Sequence, residues 1–378
     1  MDIANFKAGS LKKGYQYSYF LPEKINHSFI WTDGSINELL EKASLLLGEL
    51  NSFSRFVPDT DMFIKMHIYK EAIESNKIEG TRTNIEEALH EEKDIDPDEH
   101  DDWVEVNNYV NAMNEAIKEL TRLPLSNRLI RLTHKILLSG VRGEKKSPGE
   151  FRRSQNWIGG ATPATALYVP PIETEVPDLI ADFEMFLHNR ELKIPHLIRI
   201  AIAHYQFETI HPFLDGNGRT GRLLITLYLV SNGILEKPLL YLSDFFEKNR
   251  SLYYDHLTFV HTKNALGDWL KFFLTGVIQT SENGVKTLKE IADLKKNIEK
   301  EIMESLGKRT KNGYTLLNGL FHKPVLTSKD VQLITDLTPK ASNDLIQAFM
   351  DLHILKEKTG YSRNRIFVFD DYIKLFNR

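Results

Sequence analysis

The chain has 378 residues, of which 42% are hydrophobic, and it carries a formal net charge of −4 and no cysteine. This length and apolar content suffice for two or three packed units, and the mild negative charge argues against a general attraction to nucleic acid or anionic membranes. The absence of cysteine from the sequence excludes disulfides and thiolate metal sites.

The N-terminal residues contain no apolar segment of signal-peptide length, and no apolar run reaches the roughly 18 residues of a membrane span. We therefore expect a soluble, cytoplasmic protein with no membrane contact.

Most of the chain shows the periodicity of amphipathic helices. Residues 35–50 and 60–91 predict two helices, and the charged, proline-containing segment 91–103 predicts an exposed connection. Apolar residues recur at helical spacing again over 179–187 and 197–208. The sequence therefore predicts a mainly α fold.

A turn-rich segment, residues 148–171, interrupts these helices. Two short β-prone runs, QNWI and LYV, flank its glycine and threonine-proline turns. This pattern predicts a β-hairpin, and from the residues alone an ordinary surface hairpin explains it equally well.

The motif HPFLDGNGRTGR leads into the apolar run LLITLYLV, which predicts a loop that ends in a helix. Gly216 and Gly218 let the backbone adopt positive φ and approach a ligand, so that the amides through Asn217 can point at phosphate oxygens. Arg219 and Arg222 are three residues apart and share a helix face, where they can hold charge on neighbouring phosphates. The pattern is typical of an anion site.

The same motif, residues 211–222, contains one carboxylate and one imidazole. Asp215 offers the hard oxygen that Mg²⁺ takes alongside phosphate oxygens. His211 can accept a proton near neutral pH. Together these groups predict magnesium-dependent chemistry on a nucleoside triphosphate.

Two other interpretations use the same residues. A P-loop requires lysine at the position of Arg222 and a preceding strand, and the sequence has neither. His204, Glu208 and His211 lie at i, i+4 and i+7 and suggest zinc, but Pro212 ends that helix and no H-E-x-x-H occurs. We expect His204 to be a packed or hydrogen-bonded helix residue.

The C-terminal part predicts a linking helix and a small separate unit. Residues 281–306 carry one apolar stripe. Within residues 310–378, two helices, the second beginning at Thr338, precede a two-stranded wing, which is the order of a winged helix.

A winged helix can bind DNA, and Arg363 and Arg365 on the wing could contact phosphates. The unit 310–378 has ten Lys or Arg against seven Asp or Glu. This excess is too small to indicate nucleic-acid binding, so DNA contact is the less favoured role and protein docking or a homodimer contact is favoured.

The motif at 211–222 matches H-P-F-x-[DE]-G-N-G-R-x-x-R at each specified position, and on this basis the chain resembles the Fic family of AMP-transferring enzymes. The resemblance implies a Fic-type helical core with a β-hairpin flap. It also implies transfer of AMP from ATP to a Ser, Thr or Tyr hydroxyl of a target protein, and of the chain itself, with pyrophosphate as the leaving group.

The resemblance also implies roles for single residues. His211 would be the general base, Asp215 the Mg²⁺ ligand, and residues 148–171 the flap that holds the target segment. Gly216, Asn217 and Gly218 would form the anion hole, Arg219 would contact phosphates near the leaving group, Arg222 the γ-phosphate, and Tyr253 and Tyr254 the adenosine. The two tyrosines are equally consistent with core aromatics.

Residues 75–80, SNKIEG, resemble the family's inhibitory pattern [ST]-x-x-x-E-[GN], with Ser75 and Glu79 at its fixed positions. The resemblance implies that Glu79 pairs with Arg222 and displaces the γ-phosphate, because a carboxylate and a phosphate compete for one guanidinium. The alternative is a solvated charge at a helix end, and Lys77 stands where a small residue is frequent.

Two other functions stay open at this point: removal of AMP from a target, with Glu79 aligning a water molecule, and a non-enzymatic nucleotide sensor with winged-helix output.

We expect the chain to have four parts: an N-terminal helical region with the inhibitory helix (1–104), a catalytic core (105–280), a linking helix (281–309) and a winged-helix-like domain (310–378).

Overall fold

The computed structural model describes residues 2–14, 16–56, 60–360 and 365–376. These residues are mostly helical, which confirms the mainly α prediction. The helices are α1 (Gly34–Phe56), α2 (Thr60–Glu79), α3 (Ile85–Ala88), α4 (His100–Glu119), α5 (Asn127–Leu137), α6 (Val176–His188), α7 (His196–Ile210), α8 (Asn217–Ser231), α9 (Ser243–Lys248), α10 (Arg250–Lys263), α11 (Leu266–Ser305), α12 (Thr310–His322), α13 (Ser328–Thr335), α14 (Pro339–Asp351) and α15 (Asp370–Lys374).

Two small antiparallel sheets accompany the helices. Strands β1 (Gly9–Lys13) and β2 (Ser18–Pro22) form an N-terminal hairpin in which Gly9 lies opposite Pro22. In the C-terminal unit, β3 (Val325–Thr327), β4 (Lys356–Glu357) and β5 (Ile366–Val368) pair in the order β3-β5-β4.

Helices α7 and α8 form the centre of the core and pack against each other. Nearly every residue of both helices is buried, including polar side chains such as those of Arg199, Arg219 and Arg222. Helix α11 packs along α1 and continues from this core to the C-terminal unit. Within the described residues, no helix has both the length and the apolar composition to cross a membrane.

The prediction of one helix over residues 60–91 is wrong. Helix α2 ends at Glu79 because Gly80 has φ of +105°, which does not continue an α-helix. A new helix, α3, begins after Asn84, whose side chain accepts a hydrogen bond from the Glu87 amide in a capping box. Glu79 therefore stands at the C-terminal end of a helix, followed by a turn.

The predicted hairpin over residues 148–171, which we call the flap, is reduced to one bridge between Ile158 and Tyr168. Backbone bonds join its two arms where Ile158 meets Leu167 and Tyr168, and other bonds leave the flap: the Phe20 amide donates to the Val169 carbonyl (2.9 Å), and the Arg152 amide donates to the Pro212 carbonyl (2.9 Å). The flap is thus attached to β2 on one side and to the loop after α7 on the other.

The C-terminal unit has the predicted winged-helix order, α12-β3-α13-α14-β4-β5. Thr338 caps α14 through its side chain, and Pro339 occupies the first turn. Arg363 lies outside the described residues, and the guanidinium of Arg365 lies 4.9 Å from the ring centre of Phe367.

Residues 281–305 are not a separate helix but the second half of α11, which begins at Leu266. Helix α4 likewise runs through the expected boundary at residues 104 and 105. The division into four parts stays a prediction.

The C-terminal unit contacts α2 and the segment that follows it. Lys323 forms an ion pair with Glu91 (3.1 Å), and Lys358 forms one with Glu86 (3.1 Å). The rings of His67 in α2 and Phe376 lie 5.1 Å apart in edge contact. The helix that carries Glu79 is therefore packed against the C-terminal unit.

Candidate active site

The site lies in the loop between α7 and α8. His211 ends α7 with φ of +49°, and Gly216 precedes α8 with φ of +70°. Asn217 closes the loop, because its side chain accepts from the Phe213 amide (2.8 Å) and donates to the Phe213 carbonyl (2.8 Å). The first amides of α8 have no intrahelical partner, so this helix end is suited to an anion.

The expectation of positive φ at Gly218 is wrong, because this residue lies inside the first turn of α8. Glycine is needed here for space instead. A Cβ at Gly218 would stand 2.5 Å from Oε1 of Glu79 and 3.0 Å from Nη1 of Arg222. The missing side chain leaves room for these two groups.

His211 is a neutral imidazole with a defined tautomer. Its Nδ1 lies 3.2 Å from the Glu208 carbonyl, and because a carbonyl only accepts, Nδ1 carries the hydrogen and Nε2 keeps its lone pair. Burial lowers the pKa of His211 to about 4, and the charge of Arg152 acts in the same direction. The hydrogen bond to the Glu208 carbonyl raises the pKa but is outweighed. Nε2 can therefore accept a proton at neutral pH.

Asp215 is the carboxylate next to the anion site, and its side chain is 36% exposed. Its Oδ1 accepts from the Gly216 amide (2.6 Å) and lies 3.8 Å from Nη2 of Arg219. Among the described residues, no group of three or more His, Cys, Asp or Glu side chains could hold a metal. A single exposed carboxylate fits Mg²⁺ that takes its other ligands from phosphate and water.

Arg222 makes the contact with Glu79 that the sequence predicts. The side chain of Arg222 is 2% exposed, and its Nη2 lies 2.7 Å from Oε1 of Glu79. Its Nε also donates to Oγ of Ser75 (2.8 Å), and its Nη2 donates to the Ser75 carbonyl (2.9 Å). The ends of α2 and α8 are thus joined by one guanidinium.

The electrostatics of this pair favour the ionised form of both groups. Burial would raise the pKa of Glu79, but the charge and the hydrogen bond of Arg222, together with the charge of Arg219, act in the opposite direction, and the pKa is lowered. Burial likewise would lower the pKa of Arg222, and the charge of Glu79 raises it above its ordinary value. The ion pair is therefore present at neutral pH.

Arg219 has a partner that the sequence did not indicate. Its Nη1 lies 2.9 Å from Oε2 of Glu105 in α4 and 3.4 Å from Oδ1 of Asn76. Burial raises the pKa of Glu105, although the nearby charges of Arg219 and Arg142 act in the opposite direction. Glu105 follows the exposed acidic stretch in the sequence, and no local pattern distinguishes it from those charges.

The two tyrosines differ. Tyr253 is buried, its ring lies 4.4 Å from that of Phe246, and its hydroxyl is 2.8 Å from Nε2 of His204. Tyr253 is therefore a core aromatic, whereas Tyr254 is 43% exposed. Contact of either ring with adenosine stays a prediction.

His204 is the hydrogen-bonded helix residue that we expected. Its Nδ1 donates to the Gly221 carbonyl (3.0 Å), so Nε2 accepts from Tyr253. Burial lowers the pKa of His204 to about 3. Both ring nitrogens are occupied, so His204 is not part of a zinc site.

Comparison with known families agrees with this geometry. Residues 37–118 match the Fic/DOC family N-terminal model, and residues 124–229 match the Fic/DOC family model. The chain belongs to the Fic/DOC family. The matched ranges include both Glu79 and the whole motif at 211–222.

This Fic chain has relatives of known name and structure. It is 30% identical over 220 residues to "Protein adenylyltransferase Fic" of Aedes aegypti, covering 53% of the chain and 39% of the relative. The protein of the same name from Drosophila grimshawi is 32% identical over 172 residues, covering 44% and 33%. The chain thus spans less than half the length of these relatives.

A crystal structure of a Fic family protein from Desulfovibrio desulfuricans superposes with a TM-score of 0.57 at 18% identity, covering 92% of this chain and 98% of that one. At this identity the likeness shows a shared fold.

His134 in α5 is a further residue of the Fic site that sequence reasoning missed. Its Nδ1 accepts from the Gly149 amide (2.8 Å), so Nε2 carries the hydrogen and donates to the Asp215 carbonyl (2.9 Å). Its ring stacks on Phe213 at 3.7 Å, and burial lowers its pKa to about 4. His134 joins the start of the flap to the loop that carries Asp215.

Proposed function

We propose that this chain is a protein adenylyltransferase that moves AMP from ATP to a Ser, Thr or Tyr hydroxyl of a target protein or of itself. The observation that carries the proposal is the neutral His211, whose Nε2 keeps its lone pair and whose loop leads into the N-terminus of α8. The relatives named protein adenylyltransferase support the same activity.

In the proposed reaction, the target hydroxyl oxygen bonds to the α-phosphorus of ATP while Nε2 of His211 takes the hydroxyl proton. The bond from the α-phosphorus to the oxygen that bridges to the β-phosphate breaks, and pyrophosphate leaves. The first amides of α8 stabilise the charge that develops on the transferring group. Asp215 would hold Mg²⁺, which when bound offsets the charge of the phosphates.

The flap offers a place for the target segment. Leu167 is 88% exposed, and Trp157 and Ile158 are each 40% exposed, although all three are large and apolar. Exposed apolar side chains that lie together mark a binding surface. A target strand added here would be recognised through its backbone and through these side chains.

Glu79 makes the described state an inhibited one under this proposal. Its carboxylate occupies the guanidinium of Arg222, which we assign to the γ-phosphate. The two anions cannot both pair with the same face of Arg222, so ATP binds productively only when Glu79 moves away.

The test uses ATP labelled separately at the α- and γ-phosphates, with Mg²⁺, cell lysate, and either the parent protein or Glu79→Gly. We expect covalent α-label on protein, stronger with Glu79→Gly. Covalent γ-label would mean phosphotransfer and contradict the proposal. No label with a variant that still binds ATP would favour the nucleotide sensor.

A second candidate activity is the removal of AMP from a modified target. The observation that favours it is that Glu79 lies close enough to His211 for its charge to act on the imidazole, so both groups could align a water molecule. Release of AMP from a labelled target by the parent, lost in Glu79→Gly, is the expected result. Release at equal rates by both proteins would contradict it.

For the C-terminal unit we propose protein docking or dimer formation rather than DNA binding. Two of its lysines, Lys323 and Lys358, already pair with carboxylates of the N-terminal region. A salt-sensitive shift of duplex DNA by the full chain would contradict this proposal.

A further inference from the structure

The carbonyls at the C-terminal end of α7 are paired by His211 and by side chains of the flap. The last four carbonyls of a helix have no partner within it and need donors from elsewhere. Here His211 supplies two of these donors: its amide bonds to the Phe207 carbonyl (3.0 Å), and its Nδ1 bonds to the Glu208 carbonyl (3.2 Å).

The flap supplies the donors for the other two carbonyls. The hydroxyl of Tyr168 donates to the Thr209 carbonyl (2.8 Å), and Nη2 of Arg152 donates to the Ile210 carbonyl (3.4 Å). The remaining contacts of the Arg152 side chain are also with backbone carbonyls, those of Ser154, Pro171 and His211. A positive charge at a helix C-terminus is favoured by the helix dipole.

The carbonyl of His211 itself is held by two flap residues. It accepts from Nε of Arg152 (2.9 Å) and from Nδ2 of Asn156 (3.1 Å). Asn156 also donates to the Phe213 carbonyl (2.7 Å). Arg152 is only 3% exposed and Asn156 8% exposed, so these bonds are shielded from competing water.

His211 needs this support because of its backbone. Its φ of +49° lies in the left-handed region, which is unfavourable for a residue with a side chain. Such a conformation persists where the surroundings fix it, and it is common at functional sites. The bonds from Arg152 and Asn156 act on the carbonyl of this one residue.

We propose that Arg152, Asn156 and Tyr168, here called the flap latch, are positioning residues that hold the general base in its reactive orientation. This inference rests on the proposed function. The flap that would receive the target segment is also the element that fixes His211. One short stretch of chain would therefore position both the target segment and the general base. Displacement of a reacting group by about 1 Å can cost roughly 100-fold in rate.

The test compares variants in the active Glu79→Gly background. Arg152→Met and Asn156→Ala remove latch bonds, and Tyr168→Phe removes a single hydroxyl and serves if the other two do not fold. We expect kcat for AMP transfer to fall at least about tenfold in Arg152→Met and Asn156→Ala, with the KM for ATP changed less than about twofold.

Arg199→Met is the matched control. Arg199 is 5% exposed and lies on the same helix α7, and its guanidinium donates to the carbonyls of Phe186 and Leu192, away from His211. Its loss should lower the thermal midpoint as Arg152→Met does and leave kcat unchanged. A fall in kcat of equal size in both variants would mean a merely structural role and overturn the proposal.

A second readout does not depend on the reaction. Hydrogen–deuterium exchange of residues 207–213 should become faster in Arg152→Met and Asn156→Ala and stay unchanged in Arg199→Met. Unchanged exchange together with unchanged kcat would refute the latch. A Glu79→Gly protein that transfers no AMP would instead refute the proposed function, while the exchange result would still decide the latch.

Discussion

Replacement of Glu79 by glycine should raise the rate of AMP transfer about 10- to 150-fold. The Glu79 carboxylate holds Arg222 through one charge-assisted hydrogen bond of 2.7 Å, and such bonds contribute about 1.5–3 kcal/mol. Each 1.4 kcal/mol corresponds to about tenfold in an equilibrium constant. The Glu79 side chain is 32% exposed, so the larger cost of breaking a fully buried ion pair does not apply.

Arg222 should stay in place after this change. Its bonds to Oγ and to the carbonyl of Ser75 do not involve Glu79, so the variant frees the guanidinium for phosphate without displacing it. A Glu79→Gln variant keeps the size and one acceptor but not the charge, and it should show intermediate activity.

The assay is the initial rate of α-label incorporation into protein for the parent and both Glu79 variants, at equal concentrations of protein and Mg²⁺-ATP. Equal rates in all three proteins would refute the inhibitory role of Glu79. Parent-level activity in Glu79→Gln together with a raised rate in Glu79→Gly would show that the size of the side chain rather than its charge inhibits, which also contradicts the argument.

Three further predictions concern other contacts of the site. Glu105→Ala leaves the buried guanidinium of Arg219 without its nearest carboxylate, with Asp215 farther away at 3.8 Å, and we expect a loss of about 3 kcal/mol in the free energy of unfolding; an unchanged thermal midpoint would contradict this. The pKa of His204 is about 3 in the folded chain, below the ordinary value of about 6.5. As the pH falls below 6.5, only the unfolded chain binds this proton, and the free energy of unfolding therefore decreases. Between pH 7.5 and 5.5 the loss from His204 is about 1.4 kcal/mol, and urea unfolding of His204→Gln should show a correspondingly smaller decline than the parent; an equal decline would rule out the neutral buried imidazole. Asp215→Asn in the Glu79→Gly background should raise the Mg²⁺ concentration for half-maximal activity by about 10- to 100-fold; an unchanged Mg²⁺ titration would remove Asp215 from the metal site.

The sequence predicted features that depend on neighbouring residues. Helix periodicity placed α7, and Pro212 correctly indicated its end. The contact between Glu79 and Arg222 joins residues 143 positions apart, and it was expected because two motifs of one family were recognised. Helix pattern by itself could not have paired them.

The features that the sequence did not predict depend on distant partners. Glu105 and Arg219 are 114 residues apart, and Arg152 and His211 are 59 apart, so no local spacing relates them. The short extent of the hairpin was also not predicted: its two arms pair only around Ile158 and Tyr168, and the backbone of the flap also bonds to Phe20 and to Pro212. Gly218 was expected to serve backbone conformation, whereas the packing of Glu79 explains it.

The measurement that tests the central claim most directly compares Glu79→Gly with the double variant Glu79→Gly/His211→Ala. Both proteins should bind Mg²⁺-ATP equally, because His211 contacts no phosphate in the proposed reaction. Loss of the base should lower α-label transfer by about 100- to 10,000-fold. Equal labelling by the two proteins would contradict the account, since the proton would then be removed by some other group.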